Sequence, residues 1–419
     1  MKIFNKLILT GDNCLENIAL DPNYFAHKYN NPEGVIPEKI TILDSTLREG
    51  EQAPGVTFTM RQRLQIAWML DYFGVDYIEL SPIVSENHEE TCKSMIKAGL
   101  SADIVAHLRA LPKDIDVALK CDASWIAMYH SVSDIHLKYK LRVTRDQALE
   151  RMVSAVEYAK GHGLKMRFTM EDATRADPEY LKQSCIAVSQ AGADRISLPY
   201  TIGIMAPRGM HNLVRMIRET VNTPIDMHCH NDLGMALSNS LSGLEAGASM
   251  VHTSIDGLGE RAGLTSLAEL TMALKLIYGL NLDVRTEMLK ELSELVSNYT
   301  SVKTHASKPL VGNNAYKHKA GTHVAAIVRN PAAYELCPPR TVGNRRRIII
   351  GELAGRTEAA FLMNLLGLQP NAEDAVRLTN GLKNLRMGDL FELELSEDME
   401  KKLLNVEDSV NRQNEIYHG

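Results

Sequence analysis

ITILDSTLREGEQAPGV, residues 40–56, changes character in its middle. Ile40–Leu43 is a short, β-branched apolar run, and Asp44, Arg48, Glu49 and Glu51 follow directly. Such a run reads as a strand buried on both faces, as in a parallel sheet. The same kind of run recurs downstream as DYIEL (76–80), DIVAHL (103–108), WIAMY (125–129), KMRFTM (165–170), RISLP (195–199), PIDMHC (224–229) and MVHTSI (250–255). Helix-period stretches lie between them, at 61–73, 145–162, 178–191, 210–221 and 235–246. FGVD, HGLK, AGAD and EAGAS each set a Gly at a helix end just before the next strand. Eight βα units in succession predict a (β/α)8 TIM barrel. A doubly wound open sheet needs fewer strands, and no GxGxxG turn follows the first one.

The chain divides on this reading into an N-terminal arm (1–37), a TIM-barrel domain (38–302) and a small, mainly helical C-terminal region (303–419). That last region leaves no room for a long regulatory domain and includes the polar stretch KTHASKPLVGNNAYKHKAGTHVAA and the basic run Arg345–Arg347. A net charge of −6 gives no basic surface for nucleic acid. No apolar run approaches a membrane span. Six scattered Cys without a CxxC pair suit reduced thiols, and cytoplasm is the expected location.

Barrel active sites sit at the carboxyl ends of the strands. Those ends carry Arg48, Glu49 and Glu51 after the first strand, Glu79 and Ser81 after the second, and His107 and Arg109 on the third. They continue with His130, Ser131 and Ser133, then Glu171, Asp172 and Arg175, then Tyr200 and Thr201. His228-Cys-His230 ends the seventh strand. Residues two apart on a strand face the same way, so both imidazoles reach one divalent ion and a first-strand carboxylate can complete the set. An Arg beside such an ion suits an oxyanion, stabilising charge that develops on a keto oxygen. After the eighth strand, Gly257-Leu-Gly259-Glu260-Arg261-Ala-Gly263 could expose backbone N–H groups to a phosphate. The alternatives to these readings are a local Arg48–Glu49 ion pair, two core histidines and an ordinary turn.

DSTLREGEQAPGV (44–56), EDATRADP (171–178), HCHNDLG (228–234), GLGERAG (257–263) and HKAGTH (318–323) together resemble the DRE-TIM metallolyase family over residues 38–370. Within it they resemble the Claisen-condensing acyltransferases: homocitrate, 2-isopropylmalate and citramalate synthases. The resemblance implies a divalent metal (Zn, Mn or Mg), acetyl-CoA as co-substrate and a 2-oxo acid as acceptor. It implies Glu49, His228 and His230 as metal ligands, Arg48 as the group polarising the ketone and Glu171 as an active-site carboxylate. It also implies that His323 and Tyr334 act over a neighbouring subunit's barrel in a homodimer. Ser133 and Thr201 fall to the oxo acid and Gly257, Gly259, Glu260 and Arg261 to CoA, while His107 and Arg109 could hold a distal acid group of the oxo acid, carboxylate or phosphonate. Glu49 and Leu264 resemble the homocitrate synthases, which implies 2-oxoglutarate. SDIHLKYKLR (133–142) resembles the isopropylmalate branch and has Leu137 where the lysine-pathway enzymes carry an Arg for the distal carboxylate. A carbon–carbon lyase and a non-catalytic relative are the rival readings.

Overall fold

The computed structural model describes residues 23–30, 36–369, 371–384, 391–396 and 399. Most of the expected N-terminal arm and the end of the C-terminal region lie outside them. Two compact units emerge: residues 30–304, and residues 1–29 with 305–419.

The first unit is a closed eight-stranded barrel in strict sequence order, every strand parallel to its neighbours. Its strands are β1 (Thr41–Asp44), β2 (Tyr77–Leu80), β3 (Asp103–Arg109), β4 (Trp125–Ser131), β5 (Lys165–Glu171), β6 (Arg195–Tyr200), β7 (Ile225–Cys229) and β8 (Met250–Thr253). A helix follows each: α1 (Met60–Phe73), α2 (Glu86–Lys97), α3 (Pro112–Lys120), α4 (Arg145–Gly161), α5 (Pro178–Gln190), α6 (Pro207–Arg218), α7 (Ala236–Glu245) and α8 (Leu267–Leu276). The starts are written in the sequence. Thr59 with Gln62 and Thr144 with Gln147 form capping boxes at α1 and α4. A Pro stands in the first turn of α3, α5 and α6, where its missing N–H costs nothing. The chain leaves α1 through left-handed Gly74, whose absent Cβ would lie 2.6 Å from the Asp283 carbonyl.

Strand pleating sends alternate residues into the barrel. Toward the amino ends these form an apolar plug of Leu43, Val105, Trp125, Ala127 and Met250, with Tyr77 edge-on to Trp125. Beyond the plug the interior turns polar, which sets the location of the site.

The second unit holds helices α10 (Gly321–Arg329), α11 (Arg356–Leu365) and α12 (Ala372–Lys383). Before it, α9 (Leu289–Tyr299) closes the barrel unit. A three-stranded sheet accompanies the helices, in the order β11 (Phe391–Glu394), β10 (Arg347–Ile350), β9 (Lys317–His318). The expected helices are therefore present together with strands that were not read. Val324, Ile348, Ile350, Phe361 and Leu382 belong to its core.

Candidate active site

The charged exit of β1 folds back on itself. Asp44 is buried and accepts from the Thr46 N–H at 2.9 Å. Burial pushes its carboxyl up to about 7, against the Thr46 and Thr253 hydrogen bonds. Glu51 takes Arg63 at 2.9 and 2.8 Å and the Phe58 N–H at 3.0 Å, so it ties the loop to α1. Arg48 and Glu49 are left facing the barrel mouth, bonded to each other.

Glu49, His228 and His230 form the one group of potential metal ligands found among the described residues. Their ligand atoms lie within 4.8 Å of one another, and all three residues are buried. Both Nε2 atoms stand 3.9 Å from a Glu49 oxygen. That spacing is too long for a hydrogen bond and suits donors that share an ion. Burial, then the nearby Arg48, hold His228 well below the usual imidazole range; burial lowers His230 as well. Both rings are thus neutral, as ligation requires. The His228 Nδ1 lies 3.2 Å from His252 Nδ1, which fixes the ring's orientation. The donor set of two imidazoles and a carboxylate fits a divalent Zn- or Mn-type ion.

The glycine loop serves this trio. Gly259 lies so close that a Cβ would come 3.1 Å from Glu49 Cγ, and the next N–H, of Glu260, donates to Glu49 Oε1 at 3.2 Å. Gly263, in the left-handed region, would carry a Cβ 1.9 Å from the Gly257 carbonyl. Arg261 reaches Asp232 at 2.8 Å and the Thr201 carbonyl at 2.5 Å, so the loop binds the exits of β6, β7 and β8 together.

Beneath the trio runs a chain of buried charges. Glu79 accepts from Arg48 at 2.7 Å, from Ser45 at 2.6 Å and from Arg167 at 2.5 Å. Arg167 lies 2.9 Å from His252, and His252 lies 3.6 Å from Asp226, which pairs with Arg195. Burial alone would raise the Glu79 carboxyl, but the Arg48 and Arg167 guanidinium groups overcome it and hold it well below the usual carboxylate range. Burial, reinforced by Arg167, pushes His252 down to about 4. Removing one partner from such a network costs about 3–5 kcal/mol, because it strands the other charge.

Arg48, Arg167 and His252 of this network border a cavity of about 730 Å³ at the carboxyl ends of the strands. Of the residues singled out in the sequence, Arg48, Glu49, His107, Arg109 and Glu171 line it, as do Thr201, His228, His230, Glu260 and Arg261. Ser133 does not: it is buried, bonds Asp172 and caps the turn at Asp134. Gly257 and Gly259 shape the loop rather than the wall. His323 and Tyr334 belong to the second unit, where their rings stack at 4.1 Å. Reading the sequence missed Arg167, His252, Tyr129 and Lys140. Lys140 lies in a wide helical turn, Leu137–Leu141, and pairs with Glu171 at 2.5 and 2.7 Å, while Ser131 bonds the same carboxylate. A charge within a strand run (KMRFTM, MVHTSI) was the available signal for the first two.

Comparison with known proteins agrees with this architecture. A sequence-family model described as HMGL-like matches residues 39–296, and one described as homocitrate synthase post-HMGL domain-like matches 310–388. The homocitrate synthase AksA of Methanopyrus kandleri is 42% identical over 351 residues, 84% of this chain and 88% of that one. A probable 2-isopropylmalate synthase of the same organism is also 42% identical over 351 residues, 84% of this chain and 70% of that one. The crystal structure of an HMG-CoA lyase from Bacillus subtilis superimposes with a TM-score of 0.59 at 18% identity, covering 64% of this chain and 96% of that one, which shows the shared fold. With the barrel, the trio at its mouth and these matches, the chain belongs to the HMGL-like family, in the Claisen-condensing branch that contains the homocitrate and 2-isopropylmalate synthases.

Proposed function

We propose that this protein condenses acetyl-CoA with a 2-oxo acid and releases CoA, with a divalent ion held by Glu49, His228 and His230. The buried trio with Arg48 beside it, at the carboxyl ends of the barrel strands, carries this reading. The ion, when bound, would supply Lewis acidity toward the oxo acid.

The chain's own groups do the rest. Arg48 is buried between Glu79 and Glu49; burial alone would lower it, but their charges raise it above the ordinary guanidinium value. It stays cationic and faces the oxygen on C2 of the oxo acid, where negative charge grows. The acetyl methyl gives a proton to a base, which we assign to His323, supported by Tyr334 and Glu171. The methyl carbon then bonds to C2, and the C2 oxygen takes up a proton. Water cleaves the carbon–sulfur bond, and CoA leaves as the thiol. Glu260 and Arg261, at the cavity edge, are assigned to CoA. We assign His323 and Tyr334 to the barrel of a partner subunit in a homodimer, following the family resemblance. No helix among the described residues is long and apolar enough to cross a membrane; the cytoplasmic assignment rests on scattered cysteines that form no CxxC pair in the sequence.

Thiol release from acetyl-CoA, measured with a panel of 2-oxo acids, tests the reading. Release that needs the metal and stops with chelator supports it. No release with any oxo acid and the metal-loaded protein sinks it.

A further inference from the structure

Lys93–Glu89, Lys182–Glu179 and Arg215–Glu219 are ion pairs one turn apart on a single helix, and none of them lines the cavity. Lys140–Glu171 is built differently. It spans 31 residues, from the connection between β4 and α4 to the end of β5, and both partners line the cavity.

The connection is shaped to deliver that lysine. Ser133 and Asp172, both fully buried, bond each other at its base, and the Ser133 hydroxyl accepts from the His136 N–H at 3.4 Å. The chain then winds through the wide turn Leu137–Leu141 and leaves it at Arg142, which sits in the left-handed region at φ 55°. Wide turns and left-handed residues with a side chain cost energy and gather at functional sites. Here they lay the Lys140 ammonium across the Glu171 carboxylate, 5.8 Å from the centre of the Tyr129 ring.

Lone pairs decide what Glu171 can still do. A carboxylate offers about four acceptor positions, two on each oxygen. Lys140 takes one on each, at 2.5 Å to Oε1 and 2.7 Å to Oε2, and the Ser131 hydroxyl takes the second on Oε2. The His136 Nδ1 stays 4.0 Å from Oε2, outside hydrogen-bond reach. One position, on Oε1, is left open. A carboxylate with a single open acceptor orients a single N–H donor, as the acid that steers the imidazole does in a hydrolase triad.

We propose that Lys140 is a positioning residue: with Ser131 it fixes Glu171 so that Oε1 alone receives the N–H of the group that takes the acetyl methyl proton. This rests on the condensation reading above, in which that group is His323.

A double-mutant cycle on thiol release by the metal-loaded full chain, with acetyl-CoA and the best oxo acid of the panel, tests it. Lys140→Met should lower kcat about a hundredfold and hold both KM values within about twofold of wild type, because Glu171 is misaimed while no substrate contact is lost. Lys140→Arg keeps the cation and should recover most of that rate. In a Glu171→Gln background, Lys140→Met should cost nothing further. Lys140 is 44% exposed, so neither of its variants should lower the melting temperature. Wild-type kcat in Lys140→Met, a loss confined to KM, or losses that multiply in the double variant overturn this inference alone. A marked fall in melting temperature in both Lys140 variants does so too, since it makes the lysine a structural brace. A wild-type chain that releases no thiol with any oxo acid overturns the condensation reading, and this inference with it.

Discussion

Glu49→Gln removes a ligand charge but keeps the shape of the site, so metal content after dialysis should fall to near zero while the melting temperature of the metal-free protein stays close to wild type. His252 touches no substrate in our reading; it orients His228 through the 3.2 Å contact between their Nδ1 atoms. His252→Ala should therefore weaken metal affinity about 10–100-fold, with activity recovering at high metal. Protons compete with the ion for His228 and His230. Because both rings are lowered by burial, that competition moves to acid: chelator titration should show affinity holding down to pH 6.5, the ordinary imidazole value, and falling only below it. At this scale the trio was legible because a two-residue spacing on a strand has one geometric outcome. Glu79 was visible at its strand end, but Arg167 and its bond to Glu79 were not, because a charge within a strand run says nothing of its partner on another strand. Arg109 shows the converse: its position at a strand end was visible, but its engagement by Asp114 was not.

Among the elements, the glycine loop separates two jobs that look alike in sequence. Gly259→Ala would push a methyl against Glu49 and Leu264, so it should weaken metal binding and leave the melting temperature nearly unchanged. Gly263→Ala places a Cβ on the Gly257 carbonyl at a left-handed position, so it should lower the melting temperature markedly as well. The barrel strands and several of its helices could be read from the chain because period and capping agree, as at Thr59 and Thr144. The helices Glu86–Lys97 and Pro112–Lys120 are implied by eight βα units, but no bounds were read for them; both are short and rich in charge. The turn Leu137–Leu141 was hidden for another reason: its wide helical winding has no sequence signature, yet it brings Lys140 to Glu171.

The whole molecule should show its buried carboxyl in its response to pH. Well below pH 3.8, the ordinary aspartate value, the Asp44 proton is retained in both folded and unfolded chains. Toward about pH 7 the unfolded chain gives it up while the folded one holds it, so stability falls across that window. Asp44→Asn lacks this loss, and its melting temperature relative to wild type should climb from pH 4 to 7. The expected dimer has its own signature. Mixing Glu49→Gln and His323→Ala chains under conditions that exchange subunits should restore about a quarter of wild-type activity if each site draws on two chains, and none if it draws on one. Finally, the ring itself has a kinetic meaning. β1 pairs with β8, setting Thr41 beside Met250, and the ion's ligands come from opposite ends of that loop of chain, Glu49 just after β1 and His228 and His230 at the end of β7. Closing the ring brings the two sets of ligands together, so a bound ion should act as a clasp on it, and the unfolding rate measured with metal should be lower than without.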